Sequence, residues 1–401
     1  MVDLKFGHIA DCHLGAWRVP VLQELSLKAF EKCIGECIKE KVNFVLIAGD
    51  LFDTATPSVD VLKFAAAKLM ELKNAGIQCY VIPGSHDFSL SGKTFLDILE
   101  VVGLFKNIGG YTENENGVDL EVYKTNQLLL AGLPGKKAGL EQKLVKKIKK
   151  MDLDKNLFKI LTLHTTITES KPKKMEFAES LDANDLPQGF DYYALGHLHK
   201  KAQGKTNGKT YVYPGPVFPT SFDEFEEEKT GSFCIVNVEN NKVDVKIHEL
   251  NVKDVQNIEI NADKKTTGEI MEEALISIKD IKNKIVTLKI EGELLRGKPS
   301  DVNLQGIFDV AKKNDCIILK NTTKLTSPEF KTEIESSGKD IKEIEEEIIK
   351  KYSDNTESKE FLDKISTIIY ALDIEKQDGE TNVVFENKIV EDVSRIFNIK
   401  Q

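Results

Sequence analysis

The chain has 401 residues and a formal net charge of -10, and this charge counts against a general nucleic-acid binder, whose phosphate contacts demand a basic surface. The length exceeds one ordinary core and predicts roughly two or three domains. No apolar run reaches about eighteen residues and no leader-like segment precedes the first predicted strand, so we expect a soluble, cytoplasmic protein without a membrane segment. Six cysteines without a Cys-x-x-Cys motif predict reduced thiols.

Short apolar runs of strand length alternate with amphipathic segments from the start of the chain. Five of these runs are predicted strands that end just before or at a polar motif. The alternation is typical of a mainly parallel sheet whose faces are covered by helices. The predicted strands cover residues 4–10, 43–48, 79–82, 158–163 and 192–195, and the amphipathic segments cover 22–41, 58–75, 94–103 and 139–151.

The polar motifs at these strand ends contain five of the seven histidines. Ligands of parallel sheets gather beyond the carboxyl ends of the strands, so we expect the motifs to meet. Histidine with aspartate suits divalent cations such as Mn²⁺, Fe²⁺ or Zn²⁺, and the sequence therefore predicts a dinuclear metal site. In chain order the motifs are Asp11-x-His13, Gly49-Asp50-Leu51-Phe52-Asp53, Gly84-Ser85-His86-Asp87, His164 and Gly196-His197-Leu198-His199.

Each motif has a structural alternative when it is taken alone. A lone His-x-His on a strand is often structural, Gly-Asp is often a turn, and Gly-x-His-Asp can be a loop with a hydrogen-bonded histidine. Five coincidences at strand ends favour a common site instead. The other two histidines lie outside the motifs: His8 is predicted to be packed within the first strand, and His248 lies in a late strand-like run.

The order of these motifs resembles the calcineurin-like metallophosphoesterases. Asp11-Cys12-His13-Leu14-Gly15 and Gly49-Asp50-Leu51-Phe52-Asp53 are most similar to the nuclease subunit of the DNA double-strand-break repair complex, the SbcD type with its archaeal and eukaryotic meiotic recombination eleven counterparts. Phosphoprotein phosphatases of the superfamily carry an arginine where this chain has Thr54. The resemblance covers residues 1–250 and implies an α/β sandwich of two central sheets flanked by helices.

The resemblance also implies a role for each motif residue. Asp50 would bridge the two ions, and His86 would contact the scissile phosphate and protonate the leaving oxygen. Asp53 and Asp87 would orient ligands. The first ion would be held by Asp11, His13, Asp50 and His199, and the second by Asp50, His164, His197 and a ligand from position 85. The family usually has asparagine where this chain has Ser85, a shorter and weaker ligand, so we expect the second ion to bind loosely.

Two cations can clamp a phosphodiester, activate water at neutral pH and stabilise the charge on the phosphate oxygens. A histidine beside them can donate a proton to the departing sugar oxygen. The resemblance therefore implies a DNA nuclease, with double-strand exonuclease and single-strand endonuclease activity, that uses two divalent ions, preferably Mn²⁺, in double-strand-break repair. The alternatives are a small-molecule phosphodiesterase or phosphatase, and a scaffold subunit with a weakened metal site, which Ser85 keeps open.

The chain contains two strongly charged segments. Seven lysines in residues 136–150 form either a solvated helix face or a phosphate-binding surface. The acidic run of Glu224, Glu226, Glu227 and Glu228 is predicted to be an exposed loop before the last nuclease strands, 232–238 and 243–250.

Two further regions follow the predicted nuclease domain. Residues 251–330 are predicted to be a small α+β domain, with helices near 268–281 and 304–312 before strands at 285–291 and 316–320. The resemblance implies a capping domain that positions DNA, and a structural appendage is the alternative. Residues 331–401 contain three helical apolar stripes, which either close into a bundle or, as the resemblance implies, bind the coiled-coil ABC-type ATPase of the Rad-fifty family.

A homodimer is also implied by the resemblance. The apolar stripe through Val61, Leu62, Ala65, Leu69 and Leu72 could form a two-fold interface. Burial of the stripe on the sheet of the same chain explains it equally well.

Overall fold

The computed structural model describes residues 3–88, 94–172, 175, 178–327, 372, 385 and 388–390. The predicted partner-binding region, 331–401, lies outside the described residues except for the last five of these positions, which are helical. Its role stays a prediction, and so do the boundaries of the three domains.

The described residues form eighteen strands and seven α-helices. The helices are α1 (Pro20–Lys39), α2 (Val59–Asn74), α3 (Phe95–Val101), α4 (Glu141–Lys146), α5 (Phe222–Glu227), α6 (Thr267–Ile278) and α7 (Gln305–Lys313). The strands are β1 (Leu4–Ile9), β2 (Phe44–Ala48), β3 (Gln78–Ile82), β4 (Lys106–Asn107), β5 (Tyr111–Asn114), β6 (Gly117–Leu120), β7 (Tyr123–Lys124), β8 (Leu128–Leu133), β9 (Phe158–His164), β10 (Tyr192–Gly196), β11 (Lys201–Thr206), β12 (Lys209–Pro214), β13 (Gly231–Glu239), β14 (Lys242–Leu250), β15 (Val255–Asn261), β16 (Ile285–Glu293), β17 (Ile317–Asn321) and β18 (Leu325–Thr326).

Two six-stranded mixed sheets form the larger part of the molecule. The first has the order β14-β13-β1-β2-β3-β4, in which β1 to β4 run parallel and β13 pairs antiparallel with β1. The second has the order β11-β12-β10-β9-β8-β7, with a parallel centre from β12 to β8. The α/β sandwich with two central sheets, predicted from the sequence, is confirmed. The first sheet is parallel from β1 to its edge strand β4, whereas the second is parallel only at its centre.

The two sheets pack face to face through side chains that alternate along their central strands. Phe6 stacks on Phe44 at a ring distance of 4.8 Å, and Tyr192 from the opposite sheet meets Phe6 edge-on at 5.4 Å. His8 is fully buried in this layer, with Nδ1 2.9 Å from the Tyr192 hydroxyl, as its packed position in the first strand predicted. The outer face of the first sheet is covered by α1 and α2, whose apolar stripes complete a second core.

The predicted elements agree with the observed ones to within a few residues around the five motifs. The sequence prediction missed the strands between 106 and 133, including β8, which pairs with β9 near the centre of the second sheet. The amphipathic segment at 139–151 contains only a short helix, α4.

A third sheet follows β14. Strand β16 pairs in parallel with β15, β17 and β18, and α6 and α7 cover one face over a separate apolar core. Ile285 at the start of β16 joins the core under the first sheet, and both β16 and β17 contact α5. The third sheet is therefore fixed against the helix that follows β12.

Several smaller expectations can now be compared with the structure. Val61, Ala65, Leu69 and Leu72 of the stripe on α2 are buried against its own sheet, whereas Leu62 is half-buried, so packing within the chain accounts for four of the five side chains. All six cysteines are free thiols, five of them buried, as expected. Among the residues that the structure describes, no helix combines the length and the apolar character needed to cross a bilayer.

Candidate metal centre

All five motifs lie at one edge of the sandwich. Asp11, Asp50 and Ser85 follow the parallel strands β1, β2 and β3 of the first sheet, whereas His164 ends β9 and His197 follows β10 in the second sheet. Because the sheets face each other, the loops beyond these strand ends converge. The structure thus brings together every site residue that the sequence predicted.

The backbone at this edge adopts unusual conformations. Asp11, His13, Asp50 and His197 all have positive φ, of 51°, 42°, 51° and 90°. Such conformations cost free energy in residues other than glycine, and they cluster where side chains must be aimed at a functional site. The Gly84 backbone also lies close to the Asp50 side chain, because a Cβ on Gly84 would lie 2.1 Å from Asp50 Oδ1.

The first group of ligand atoms joins the Asp-x-His motif to the last histidine of the Gly-His-x-His motif. Its members are Asp11, His13 and His199, and their ligand atoms lie within 4.8 Å of one another. His13 Nε2 and His199 Nε2 are 3.0 Å apart. Asp11 also accepts hydrogen bonds from the His197 backbone N–H at 2.9 and 3.1 Å, which ties the two sheets together.

The second group is formed by Asp50, His164 and His197, again within 4.8 Å. His164 Nε2 lies 3.0 Å from Asp50 Oδ2. The predicted ligand at position 85 is adjacent but poorly placed for a strong bond, since Ser85 Oγ donates to Asp50 Oδ2 over 3.5 Å.

Asp50 connects the two groups. Its Oδ2 lies 3.6 Å from His13 Nε2, and a third group, His13, Asp50 and His86, also falls within 4.8 Å. The His86 backbone N–H donates to Asp50 Oδ1 at 2.8 Å, which holds the carboxylate in the centre of the motifs.

The donor set fits two divalent cations. His164 Nδ1–H donates to the Ala48 carbonyl oxygen at 2.9 Å, so the buried Nε2, 3.0 Å from Asp50 Oδ2, is the nitrogen that would bind an ion. The His13 and His199 nitrogens fit one shared ion, because two nitrogens about 2.1 Å from an ion and at right angles to each other lie about 3 Å apart. Imidazole and carboxylate donors favour Mn²⁺, Fe²⁺ or Zn²⁺.

Other polar groups fix the orientation of these side chains. His13 Nδ1 donates to Asp53 Oδ1 at 3.2 Å. Asp87 accepts three backbone N–H bonds, from Leu51, Phe52 and Gly84, at 3.0 to 3.1 Å, and so pins the loops after β2 and β3 to each other.

Sequence reasoning missed one residue of this kind. Glu224 was predicted to lie in an exposed loop, but that prediction is wrong: Glu224 belongs to α5, and its side chain is only 12% exposed. Glu224 Oε1 accepts from His199 Nδ1 at 3.0 Å. The run of acidic residues suggested an exposed loop, so this contact was not predicted. The pattern Ser221-x-x-Glu224 was nevertheless a signal for the start of a helix.

The pKa values follow from burial and from charge. Burial favours neutral His164, but the charge and hydrogen bond of Asp50 outweigh it and raise the pKa of His164 to about 10. Burial opposes a charge on His199 as well, yet Glu224 and Asp11 raise its pKa to about 8. Burial and the charge of His164 lower the pKa of His197 to about 3. Burial and the charge of Asp50 raise the pKa of Asp87 to about 6.

A cleft of about 730 Å³ opens beside this centre. His86, about half exposed, stands at its edge with Ser85 and His197. Lys136 and Lys137 line the opposite part, and the Lys136 backbone N–H is held by the buried Glu141 carboxylate at 3.2 Å. Three other lysines of this run form ion pairs on the surface instead. Lys146, Lys147 and Lys149 pair with carboxylates at 3.1, 2.9 and 2.6 Å.

The fold and the site define the class of protein. Residues 4–201 match the family model for the calcineurin-like phosphoesterases. This segment contains every metal ligand that the sequence predicted. Residues 4–201 are therefore a calcineurin-like metallophosphoesterase domain.

Within this class, the chain is similar to several DNA double-strand break repair proteins. The chain is similar to the DNA double-strand break repair protein Mre11 of Archaeoglobus fulgidus, with 30% identity over 53% of this chain and 50% of that protein. The Mre11 proteins of Methanocaldococcus jannaschii and Sulfolobus acidocaldarius are 28% and 23% identical, over 72% and 85% of this chain and 77% and 89% of their own lengths. The match to the A. fulgidus protein thus spans half of its length.

Proposed function

We propose that this chain is a metal-dependent DNA nuclease that processes DNA ends in double-strand-break repair. The observation that carries the proposal is the position of Asp50, whose carboxylate belongs to two groups of histidine ligands on facing sheets. Two ions that share a carboxylate are typical of enzymes that cleave phosphate esters. The similarity to the archaeal Mre11 proteins supports DNA as the substrate.

Two sets of residues would hold the ions. The first set is Asp11, His13, Asp50 and His199, and the second is Asp50, His164, His197 and Ser85. Bound ions, with Mn²⁺ as the preferred choice, would supply Lewis-acid stabilisation of the phosphate and would lower the pKa of a water molecule. The protein's part is to hold the ligands, and the hydrogen bonds to Asp53, Glu224 and the Ala48 carbonyl oxygen fix the three histidines that they contact.

His86 is suited to donate a proton. Its Nδ1 lies 2.8 Å from the Asp53 carbonyl oxygen, which can only accept, so Nδ1 carries a proton and Nε2 faces away from this bond. In the imidazolium form, Nε2–H can protonate the leaving sugar oxygen. The ring packs edge-on against His13 at 4.7 Å, which keeps it beside the first ligand group.

The cleft supports a phosphodiester chain as substrate. Lys136 and Lys137 line the same cleft as His86, where the Lys137 ammonium group can contact a phosphate that flanks the scissile one, while Lys136 Nζ lies over the Tyr111 ring at 5.4 Å. Surface ion pairs make Lys146, Lys147 and Lys149 part of an ordinary solvated face. Asp53 and Glu179 line the cleft beside Lys136 and Lys137, so bound metal ions would supply much of the positive charge at the site.

The same proposal extends to the activities, the partners and the location of the protein. We expect double-strand exonuclease and single-strand endonuclease activity, docking of a coiled-coil ABC-type ATPase on residues 331–401, a DNA-positioning role for 251–330, and a DNA-associated, cytoplasmic location. A homodimer would need a face made of exposed side chains rather than of the four buried ones on α2. Ile98 and Val101 on α3 are apolar side chains that are exposed, 52% and 87%, and they are candidates for that face.

The deciding experiment compares three substrates. The purified full chain is incubated with linear duplex DNA, closed circular single-stranded DNA and a chromogenic phosphodiester, each with Mn²⁺ or Mg²⁺. We expect Mn²⁺-dependent cleavage of both DNAs at rates well above that of the chromogenic ester. Cleavage of the ester alone would favour a small-molecule phosphodiesterase, and no cleavage of any substrate would favour a scaffold subunit.

Two variants control for contaminating nucleases. Asp50→Ala removes the shared carboxylate, so it should lose bound metal and activity together. His86→Ala should retain metal, as measured by elemental analysis, and lose on the order of a hundredfold or more in rate. DNA cleavage by Asp50→Ala at the parent rate would assign the activity to a contaminant.

A further inference from the structure

Glu224 differs from its acidic neighbours in where its side chain points. It lies on α5, whose N-cap Ser221 Oγ accepts a hydrogen bond from the Glu224 backbone N–H at 3.3 Å. Glu227, on the same short helix, is exposed, whereas the Glu224 side chain turns inward and is 12% exposed. A carboxylate at this depth must be paired or hydrogen-bonded to remain ionised.

Four donors satisfy the Glu224 carboxylate. Thr220 contributes its backbone N–H, at 2.8 Å from Oε2, and its hydroxyl, at 3.1 Å from Oε1. The Ser221 hydroxyl donates to Oε1 at 3.1 Å, and His199 Nδ1 donates to the same oxygen at 3.0 Å. Glu224 is therefore held in place as an acceptor for His199.

This contact determines which nitrogen of His199 is available to a metal. With Nδ1–H committed to Glu224, the Nε2 lone pair is directed toward His13 Nε2 and Asp11 Oδ1, at 3.0 and 3.9 Å. A carboxylate that accepts from the far nitrogen of a metal-binding imidazole also raises the basicity of the ligand. We propose that Glu224 is a positioning residue for the first metal ion and sets its affinity through His199, an inference that rests on the proposed function.

Helix α5, which carries Glu224, is packed on two sides. Phe225, the next residue, is fully buried and packs against Trp17 and Phe218 at ring distances of 5.9 and 5.5 Å. The third sheet holds the other side, where Asn257 Nδ2 donates to the Glu226 carbonyl oxygen at 3.0 Å. The orientation of His199 is thus supported, through α5, by the loop after β1, the loop after β12 and strand β15 of the third sheet.

The second ligand group lacks an equivalent. His164 Nδ1 is oriented by the neutral Ala48 carbonyl oxygen rather than by a carboxylate. A change at Glu224 should therefore act on one ion and leave the other unaffected. Such selectivity would not arise from a general loosening of the fold, and it is the property to measure.

The test is a calorimetric titration of the metal-stripped full chain with Mn²⁺ alone. Glu224→Ala should weaken the tighter of two sites by about tenfold to a hundredfold and leave the weaker site unchanged. Glu224→Gln keeps a carbonyl acceptor for Nδ1–H without the charge, so its loss should be smaller. The matched control is Glu227→Gln on the exposed side of α5, which should bind both ions as the parent does.

Three results would overturn the inference: parent-like binding by Glu224→Ala, equal losses at both sites, or the same loss in Glu227→Gln as in Glu224→Gln. Circular dichroism of the metal-stripped variants checks folding, and the nearly isosteric Glu224→Gln decides the question if the alanine variant does not fold. A parent that binds no Mn²⁺ would refute the proposed function as well. A parent that binds two ions beside unaffected Glu224 variants would refute only the role of Glu224.

Discussion

His164 Nε2 at the end of β9 lies 3.0 Å from Asp50 Oδ2 at the end of β2, so a direct contact joins the two sheets at the metal centre. Neither proposed ion would be held by one sheet alone: His199 of the first set and His164 and His197 of the second set come from the second sheet, and the remaining ligands come from the first. The relative position of the sheets, set by the core between them, therefore determines the geometry of the site.

The two ions are expected to bind with different strengths. His13 and His199 are each oriented by a carboxylate, whereas the second group depends on a backbone carbonyl oxygen and on Ser85, whose Oγ only reaches Asp50 at 3.5 Å. Activity should therefore rise with Mn²⁺ concentration in two phases. Ser85→Asn supplies a longer carbonyl ligand and should tighten the weaker site. Titration calorimetry of parent and variant measures this, and equal affinities with no gain from asparagine would contradict it.

Metal binding should release protons at pH 7. The pKa values of about 10 for His164 and about 8 for His199 mean that both imidazoles are protonated at that pH before an ion binds. Only the neutral ring is a ligand, so about two protons should leave as two ions bind, and affinity should increase as the pH rises from 6 to 8. Calorimetric heats in buffers of different ionisation enthalpy count these protons. Heats that do not depend on the buffer would show that the histidines are already neutral.

The close packing around Gly84 predicts how a substitution there changes the stability of the fold. A Cβ on Gly84 would lie 2.1 Å from Asp50 Oδ1 and 2.3 Å from the Asp50 backbone nitrogen, so Gly84→Ala should destabilise the fold by about 1–3 kcal/mol and displace the Asp50 carboxylate. Gly35 in α1 is the control, because a Cβ there meets nothing within 4 Å. Gly35→Ala should stabilise the helix by about 0.5–1 kcal/mol. Thermal unfolding of the metal-stripped proteins compares them, and similar midpoints would contradict the prediction.

The sequence predicted the convergence of the motif residues at one edge because local signals determined it. Apolar runs marked β1, β2, β3, β9 and β10, and the rule that ligands gather beyond parallel strand ends placed their motifs together. Two further features depend on contacts distant in sequence. Glu224 acquires its role only through His199, twenty-five residues earlier, and β8 is recognised only by its pairing with β9. The positive φ of Asp11 and Asp50 is also hidden, since aspartate usually adopts other conformations.

The last prediction concerns the region that follows the third sheet. Every residue of the proposed metal centre precedes Glu227, and β18 ends at Thr326, so truncation after residue 332 should leave a folded, metal-binding nuclease. The same truncation should abolish binding of the coiled-coil ATPase, because the apolar stripes lie beyond it. A pull-down with the ATPase, beside nuclease assays and circular dichroism, measures both effects.

Milder variants separate partner binding from folding. Ile365→Asp with Ile369→Asp, or Ile396→Asp, places charge on the predicted apolar stripes and should weaken the partnership by tenfold or more, on the order of the loss at an interface anchor residue. Thr367→Asp adds the same charge on the opposite side of the predicted helix and should leave binding unchanged. If the truncated chain unfolds, or if it binds the ATPase as tightly as the full chain, the helices belong to the core and the docking role is refuted.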